Sequence, residues 1–308
     1  MDFTTNQDPG AHRFFPPDVV VQIKALACAL PSEHGIPLSR WSNTEIAGEA
    51  IARGIVANIS GTTVWRWLGE DTIKPWQHRS WIFPRDPQFE QKAGRILDLY
   101  HGVYPGMALT TAEYVLCADE KTSIQVRCRK HQTLPAKSQQ SMKVEHEYER
   151  LGALNYLAAW DVQHAKIFGR CEAHTGVESF ERLVADVMTQ EPYASAKRVF
   201  WIVANGSSHR GQTSVKRIRS KWPNAILIHL PVHASWLNQI EIYFSILQRK
   251  ALTPNYFSSL DDLATTIMAF QRRYEQAAKP FEWKFTKEDL EKMMTKLRNP
   301  IMPWPLAA

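Results

Sequence analysis

The sequence has no CxxC pair, and its four cysteines, Cys28, Cys117, Cys128 and Cys171, stand far apart along 308 residues. That spacing argues against a zinc ribbon or a paired-thiol redox centre, since isolated cysteines mostly pack as small apolar side chains. Long apolar runs are also missing. Aliphatic stretches such as ILIHL at 226–230 are strand-sized, against the roughly 20 residues of a membrane-crossing helix. The opening MDFTTNQDPG is polar and lacks the apolar stretch of a secretory leader. There is no internal repeat and no low-complexity tract. These absences lead us to expect a soluble, cytoplasmic protein with no membrane partner. Core material is plentiful, with 44% hydrophobic residues, 11 Trp and 13 Phe, on a chain of roughly two domains' length.

One absence is local and concerns charge. The formal net charge is +6, yet residues 1–75 hold six Lys/Arg against eight Asp/Glu, so the whole positive excess lies beyond them. Between 197 and 222 there is no acidic residue at all, while Lys197, Arg198, Arg210, Lys216, Arg217, Arg219 and Lys221 are present. A single-sign block of this size points to a polyanion, with a solvated helix face as the alternative.

Residues 1–16 show no periodicity and read as a disordered lead-in or linker stub. Apolar spacing with proline at the start predicts a helix over 16–30. Ser42 and Glu45 fit a capping box for a second helix ending at Gly54. Ser60 is placed to cap a third, GTTVWRWLGE. Two short helices joined by a tight turn describe a helix-turn-helix, giving a small all-α domain over 17–75. Val64 and Leu68 then face the core, and Gly61, Thr62, Trp65 and Arg66 are candidates for a DNA groove. A three-helix packing module without DNA contact is the alternative.

A helical linker is expected over 76–112, with its helix around 87–100. From 113 strands and helices alternate. Strands are predicted at 113–120, 155–162, 166–174, 198–206 and 225–231, with helices at 177–190, 211–221 and 236–251. The stretch 127–150 is basic and shows no clear period; Lys121, Arg127, Arg129 and Lys130 are its candidate phosphate contacts. Three strands in hairpin order followed by helix, strand, helix, strand, helix is the order of an RNase H-like fold, an α/β domain with a mixed five-stranded sheet flanked by helices over 113–255. A C-terminal helical extension and tail occupies 256–308.

Hard divalent ions are held by carboxylate oxygens, and two-metal phosphodiester chemistry needs acids at the ends of adjacent strands. Asp119 ends the first apolar strand. The end of the fourth, VANGSSHRG at 203–211, offers Ala204 where a second acid should stand, with Asn205 as a weak neutral ligand. HLPVHASWLNQIEIYFSILQRKAL places Glu241 about two turns into a helix that Ser235 could cap, among Ile240, Ile242, Tyr243 and Phe244, where partial burial would call for a compensating charge.

The blocks CADEKTSIQ, HEYERLGALNYLAAWDV, NGSSHRG, LPVHASWLNQIEIYFSILQRKAL and PFEWKFTKEDLEKMM together resemble the IS630 family of insertion-sequence transposases, DDE-type relatives of Tc1/mariner, in the correct order over about 17–299. The resemblance implies Asp119 and Glu241 as first and third catalytic acids and metal ligands, with two Mg²⁺ or Mn²⁺ ions in an intact site. The second acid should be the Asp of a DNGSSHRG motif, which here is Ala204, so the chain as written is expected to be inactive or nearly so. His209 and Arg210 of that motif would lie near the metals or DNA. The implied partner is double-stranded DNA, both element ends and target, in the bacterial nucleoid, and joining two ends suggests a homodimer. Family members carry another helix-turn-helix ahead of AHRFFPPDVV, so weak, salt-sensitive DNA binding is expected. A non-catalytic DNA-binding protein derived from a transposase is the alternative.

Overall fold

The structure, a computed structural model, describes residues 15–78, 84–206 and 211–298, with only the backbone at 211–213. Two compact units divide the chain, Met1–Trp81 and Ile82–Ala308. The calls on residues 1–14, on His209 and Arg210, and on the tail beyond 298 lie outside the described residues.

The first unit holds α1 (Pro17–Cys28), α2 (Asn43–Ala52) and α3 (Gly61–Glu70). The capping box forms as expected: the Glu45 amide donates to Ser42 Oγ at 3.2 Å and the Ser42 amide to the Glu45 carboxylate at 2.7 Å. Ser60 Oγ caps α3 by accepting from the Thr63 amide at 3.2 Å. Ile23, Trp41, Ile46, Ala50, Val64 and Leu68 form the core. Gly61 lets α3 start tight against α2, since a Cβ there would stand 3.1–3.3 Å from Thr44. Lys24 ties α1 to the end of α3 through Glu70 and Asp71.

The second unit is built on β1 (Glu113–Cys128), β2 (Glu149–Asp161), β3 (Ile167–Glu172), β4 (Arg198–Val203) and β5 (Ala225–His229). Their order is β3-β2-β1-β4-β5, antiparallel from β1 through β2 to β3 and parallel from β1 through β4 to β5. The helices are α4 (Phe89–Tyr100), α5 (Val177–Met188), α6 (Gly211–Lys221), α7 (Ile240–Lys250), α8 (Leu260–Glu275) and α9 (Lys287–Arg298). A strand covered on both faces reads as a continuous apolar run, which is why EYVLCA was legible. On one face Val115, Cys117, Phe200 and Ile202 meet α4, α7, α8 and α9; on the other Leu116, Ala118, Trp201 and Val203 meet α5 and α6.

Three expectations change. The helix expected in a linker over 76–112 buries Phe89, Ile96 and Leu97 of α4 in the sheet's core, and Leu263, Ile267 and Leu290 from the expected C-terminal extension 256–308 join them. β1 and β2 also run beyond the sheet as a ribbon pairing Arg127 with Arg150 and Cys128 with Glu149. Much of that ribbon covers no core, so it lacks the apolar alternation that would have announced it. Finally, the helix carrying Glu241 starts later than predicted. Ser235–Leu237 forms a separate 3₁₀ turn without a side-chain cap from Ser235, and Glu241 lies in the first turn of α7.

Between Lys121 and Ile124 the β1–β2 register slips, with Ser123 at φ 55° and its amide held by Asn155 Oδ1 at 3.0 Å. Before this bulge odd-numbered Val115 and Cys117 face the α7 side; after it even-numbered Ile124 and Val126 do. One extra residue has turned the strand over.

A buried polar junction fastens α7 and α8 to the sheet. Tyr156 Oη donates to Gln271 Oε1 at 2.8 Å and lies 3.3 Å from Tyr243 Oη, while Gln271 Nε2 donates to the Ile167 carbonyl at 3.1 Å. Gly169 leaves the space for it: a Cβ there would fall 2.2 Å from Tyr156 Oη and 2.6 Å from Gln271 Oε1. Gly169→Ala should therefore lower the unfolding free energy by about 3 kcal/mol through overpacking and broken buried hydrogen bonds. Gly94→Ala in α4, where a Cβ meets only Lys287 Cε at 3.7 Å, should raise it by roughly 0.5–1 kcal/mol. Denaturant midpoints of the two variants against the parent check both.

Candidate active site

Ala118 and Val203 are the last pair between β1 and β4, so Asp119 and Ala204 are the next residue on each of two parallel neighbours; Asp119 does not end its strand as expected, since β1 runs on against β2 to Cys128. Side chains alternate in phase along parallel strands, and Asp119 follows Val115 and Cys117 as Ala204 follows Phe200 and Ile202. Both positions thus belong to the face covered by α7, and Ala204 packs against that core. Position 204 contributes a methyl group beside the Asp119 carboxyl. Asn205 Nδ2 donates to the Leu230 carbonyl at 2.7 Å, closing the end of β4 onto β5.

Glu241, the third expected position, lies in the first turn of α7, directly after the turn that α4 and β1 hold in place. Tyr100 Oη of α4 donates to the Leu237 carbonyl at 2.6 Å and accepts from the Gln239 amide at 3.4 Å. The fully buried Asn238 donates through Nδ2 to the Ala118 carbonyl at 3.1 Å and to Asp119 Oδ2 at 3.3 Å, leaving its Oδ1 buried with no partner. Neither Tyr100 nor Asn238 was picked out from the sequence. Asn238 lay inside the block that carried Glu241, whereas Tyr100 acts across 137 positions and left no local signal.

The electrostatics of the two acids are linked through burial and charge. Burial, with the charges of Glu241 and Glu120 adding to it, pushes the Asp119 carboxyl up to about 6 against opposing hydrogen bonds from the Glu120 amide and Asn238. Glu241 reaches solvent, yet enough water is displaced around it to raise its carboxyl, opposed by Lys121. Lys121 is in turn lowered by burial and raised by Glu241. Two partly desolvated carboxylates suit a hard divalent cation. With no oxygen from residue 204, the donors do not fit a pair of ions, and among the described residues no group of three or more His, Cys, Asp or Glu gathers as a metal set.

The basic residues divide. Arg217 pairs with Glu181 at 3.4 Å, Lys221 pairs with the same carboxylate, and Ile218 packs with α5, so α6 covers the sheet face away from Asp119. Lys216 and Arg219 of α6 are exposed. Arg127 and Arg129 stand on the β1–β2 ribbon against the Tyr148 ring, at 4.7 and 5.7 Å from its centroid, and Lys130 is exposed beyond them. In the first unit Thr62, Trp65 and Arg66 are exposed on α3, Trp65 by 57%.

Residues 114–264 match the family model described as DDE superfamily endonuclease. The chain carries a DDE superfamily endonuclease domain. Two solved structures resemble it: the Mos1 mariner paired end complex with Mn, with a TM-score of 0.52 at 12% identity over 96% of this chain and 79% of that one, and the Mos1 Strand Transfer Complex, with a TM-score of 0.54 at 12% identity over 98% and 83%. At that identity the likeness establishes the fold. No curated protein matches the chain in sequence. Among the described residues, no helix is long and apolar enough to cross a membrane.

The raised Asp119 carboxyl makes stability depend on pH. The folded chain binds this proton more tightly than the unfolded chain, so the stabilisation is fully present below pH about 4 and is lost as pH rises through about 6. Asp119→Asn should therefore be more stable than the parent by about 2 kcal/mol near pH 8, after allowance for solvent screening, with the difference closing towards about pH 4. Urea midpoints across that range measure it.

Proposed function

We propose that this chain is a transposase of the IS630 type, built to cut and join DNA and disabled at position 204. The observation that supports the reading is the adjacency of Asp119 and Ala204 on neighbouring parallel strands, with Asn238, three residues before Glu241, hydrogen-bonded to Asp119. An intact site of this kind takes a third carboxylate at 204 and two divalent ions, Mg²⁺ or Mn²⁺, that polarise the scissile phosphate. The manganese named for one structural neighbour supports such chemistry. Asp119 and Glu241 would hold a single ion here, and no cleavage step is assigned to the chain as it stands. Asn238 fixes the Asp119 carboxyl, and Tyr100 fixes the turn that delivers Glu241.

The partner in this reading is double-stranded DNA, both transposon ends and target, which the paired-end and strand-transfer complexes named for the neighbours support. α2 and α3 would act as a helix-turn-helix, with Thr62, Trp65 and Arg66 towards the groove, and two chains would join two ends as a homodimer in the bacterial nucleoid. A second reading, a transposase-derived protein that binds DNA without cutting it, is favoured by Ala204 itself.

Nicking of supercoiled plasmid in Mn²⁺ separates the two. Ala204→Asp should nick while the parent stays at background, and adding Glu241→Gln to that revertant should silence it again. A revertant as silent as the parent would favour the binding reading.

A further inference from the structure

A cleft of about 590 Å³ opens beside the acid pair, between the β1–β2 ribbon and the segment that follows α7. One wall carries Lys121, Arg127, Arg129 and Arg150, the other Gln248 and Asn255, and no acidic residue lines it. Asn255 joins the walls. Its Nδ2 donates to the Gln125 carbonyl at 2.7 Å, its Oδ1 accepts from the Arg127 amide at 3.1 Å, and its carbonyl accepts from Arg129 Nη1.

Two features of this groove call for an anion. Arg127, held over the Tyr148 ring, has its Nε buried without a hydrogen-bond partner, a costly state for a charged donor. Arg127 also sits directly across the ladder from Arg150, and like charges in that relation repel. The groove starts next to the acids, because its lining includes Lys121, two residues after Asp119 on β1, and Gln248 of α7, the helix that carries Glu241. From Lys121 to Arg127 the strand covers on the order of 20 Å, the length of several phosphates along one DNA strand. The α6 basic block has no such relation to the acids, lying on the other sheet face with Arg217 and Lys221 on Glu181.

We propose that this cleft binds the phosphodiester backbone of the DNA strand lying across Asp119 and Glu241, with Arg127 as its central contact and Arg150 beside it. This rests on the reading of the chain as a DNA-handling protein. The test is fluorescence anisotropy of labelled DNA, blunt or with a 3′ single-stranded tail, titrated with the full chain across a salt series.

Arg127→Gln combined with Arg150→Gln should weaken binding at least tenfold and reduce the salt slope by about 2, against little change for a control pair on α8, Arg272→Gln with Arg273→Gln. A larger loss with the tailed duplex identifies a single strand as the occupant, and an equal loss identifies a duplex strand. Phenylglyoxal labelling of the unaltered chain, mapped by mass spectrometry, gives a readout independent of variant folding, with DNA expected to shield Arg127 and Arg150. DNA bound with an unchanged slope and both arginines unshielded overturns the cleft while leaving a DNA-binding protein. No DNA bound by the parent overturns the parent reading and the cleft together.

Discussion

The amide of Asn238 is the contact on which the site depends. By donating to the Ala118 carbonyl and the Asp119 carboxylate together, it fixes β1, where its pairing with β4 stops, against the turn before α7. A fully buried side chain can hold both bonds only if the turn itself cannot drift. Tyr100 supplies that restraint from α4, and the Tyr156–Gln271–Tyr243 junction restrains the body of α7 from the sheet. The elements that position the two acids are therefore tied to helices that contribute no acid, and α4 and α8 belong to the site's scaffold as much as to the core.

The bulge at Ser123 divides β1 into two parts. Up to Lys121 the strand directs its odd-numbered residues, Asp119 among them, to the face of α7. Past Ser123 the phase inverts, and the ribbon leaves the sheet with Arg127 and Arg150 opposed. A bulge beside a reactive centre re-aims side chains at small cost to the ladder, and here one extra residue separates an acidic segment from a basic one on a single strand.

The parts legible in the sequence were those fixed by burial or by local hydrogen bonds. The doubly covered strands read as apolar runs, Ser42 and Glu45 declared their helix, and the acid closing the apolar run of β1 and the Glu of α7 stood in recognisable surroundings. What stayed hidden depends on partners distant in the chain. Nothing near Lys221 reveals that Glu181 neutralises it, nothing near Tyr100 reveals Leu237, and the outer part of the ribbon, past Val126, has no core beneath it and no period to read. The helix start was misplaced for a related reason, because Tyr100 and Asn238 hold 235–239 in a tighter turn that no side-chain cap announces.

Charge balance makes position 204 decisive. Asp119 and Glu241 bring two negative charges into partly desolvated ground, and Lys121, itself lowered by burial, returns one positive charge beside Glu241. That arrangement can persist without a metal, at the cost of an Asp119 proton held up to about pH 6. A third carboxylate at 204 would stand next to Asp119 and deepen the repulsion, which only cations could offset. On the proposed reading, alanine at 204 removes a ligand and also the electrostatic demand for ions that the ligand would create. What remains beside Ala204 is Asp119, with Lys121 as countercharge to Glu241.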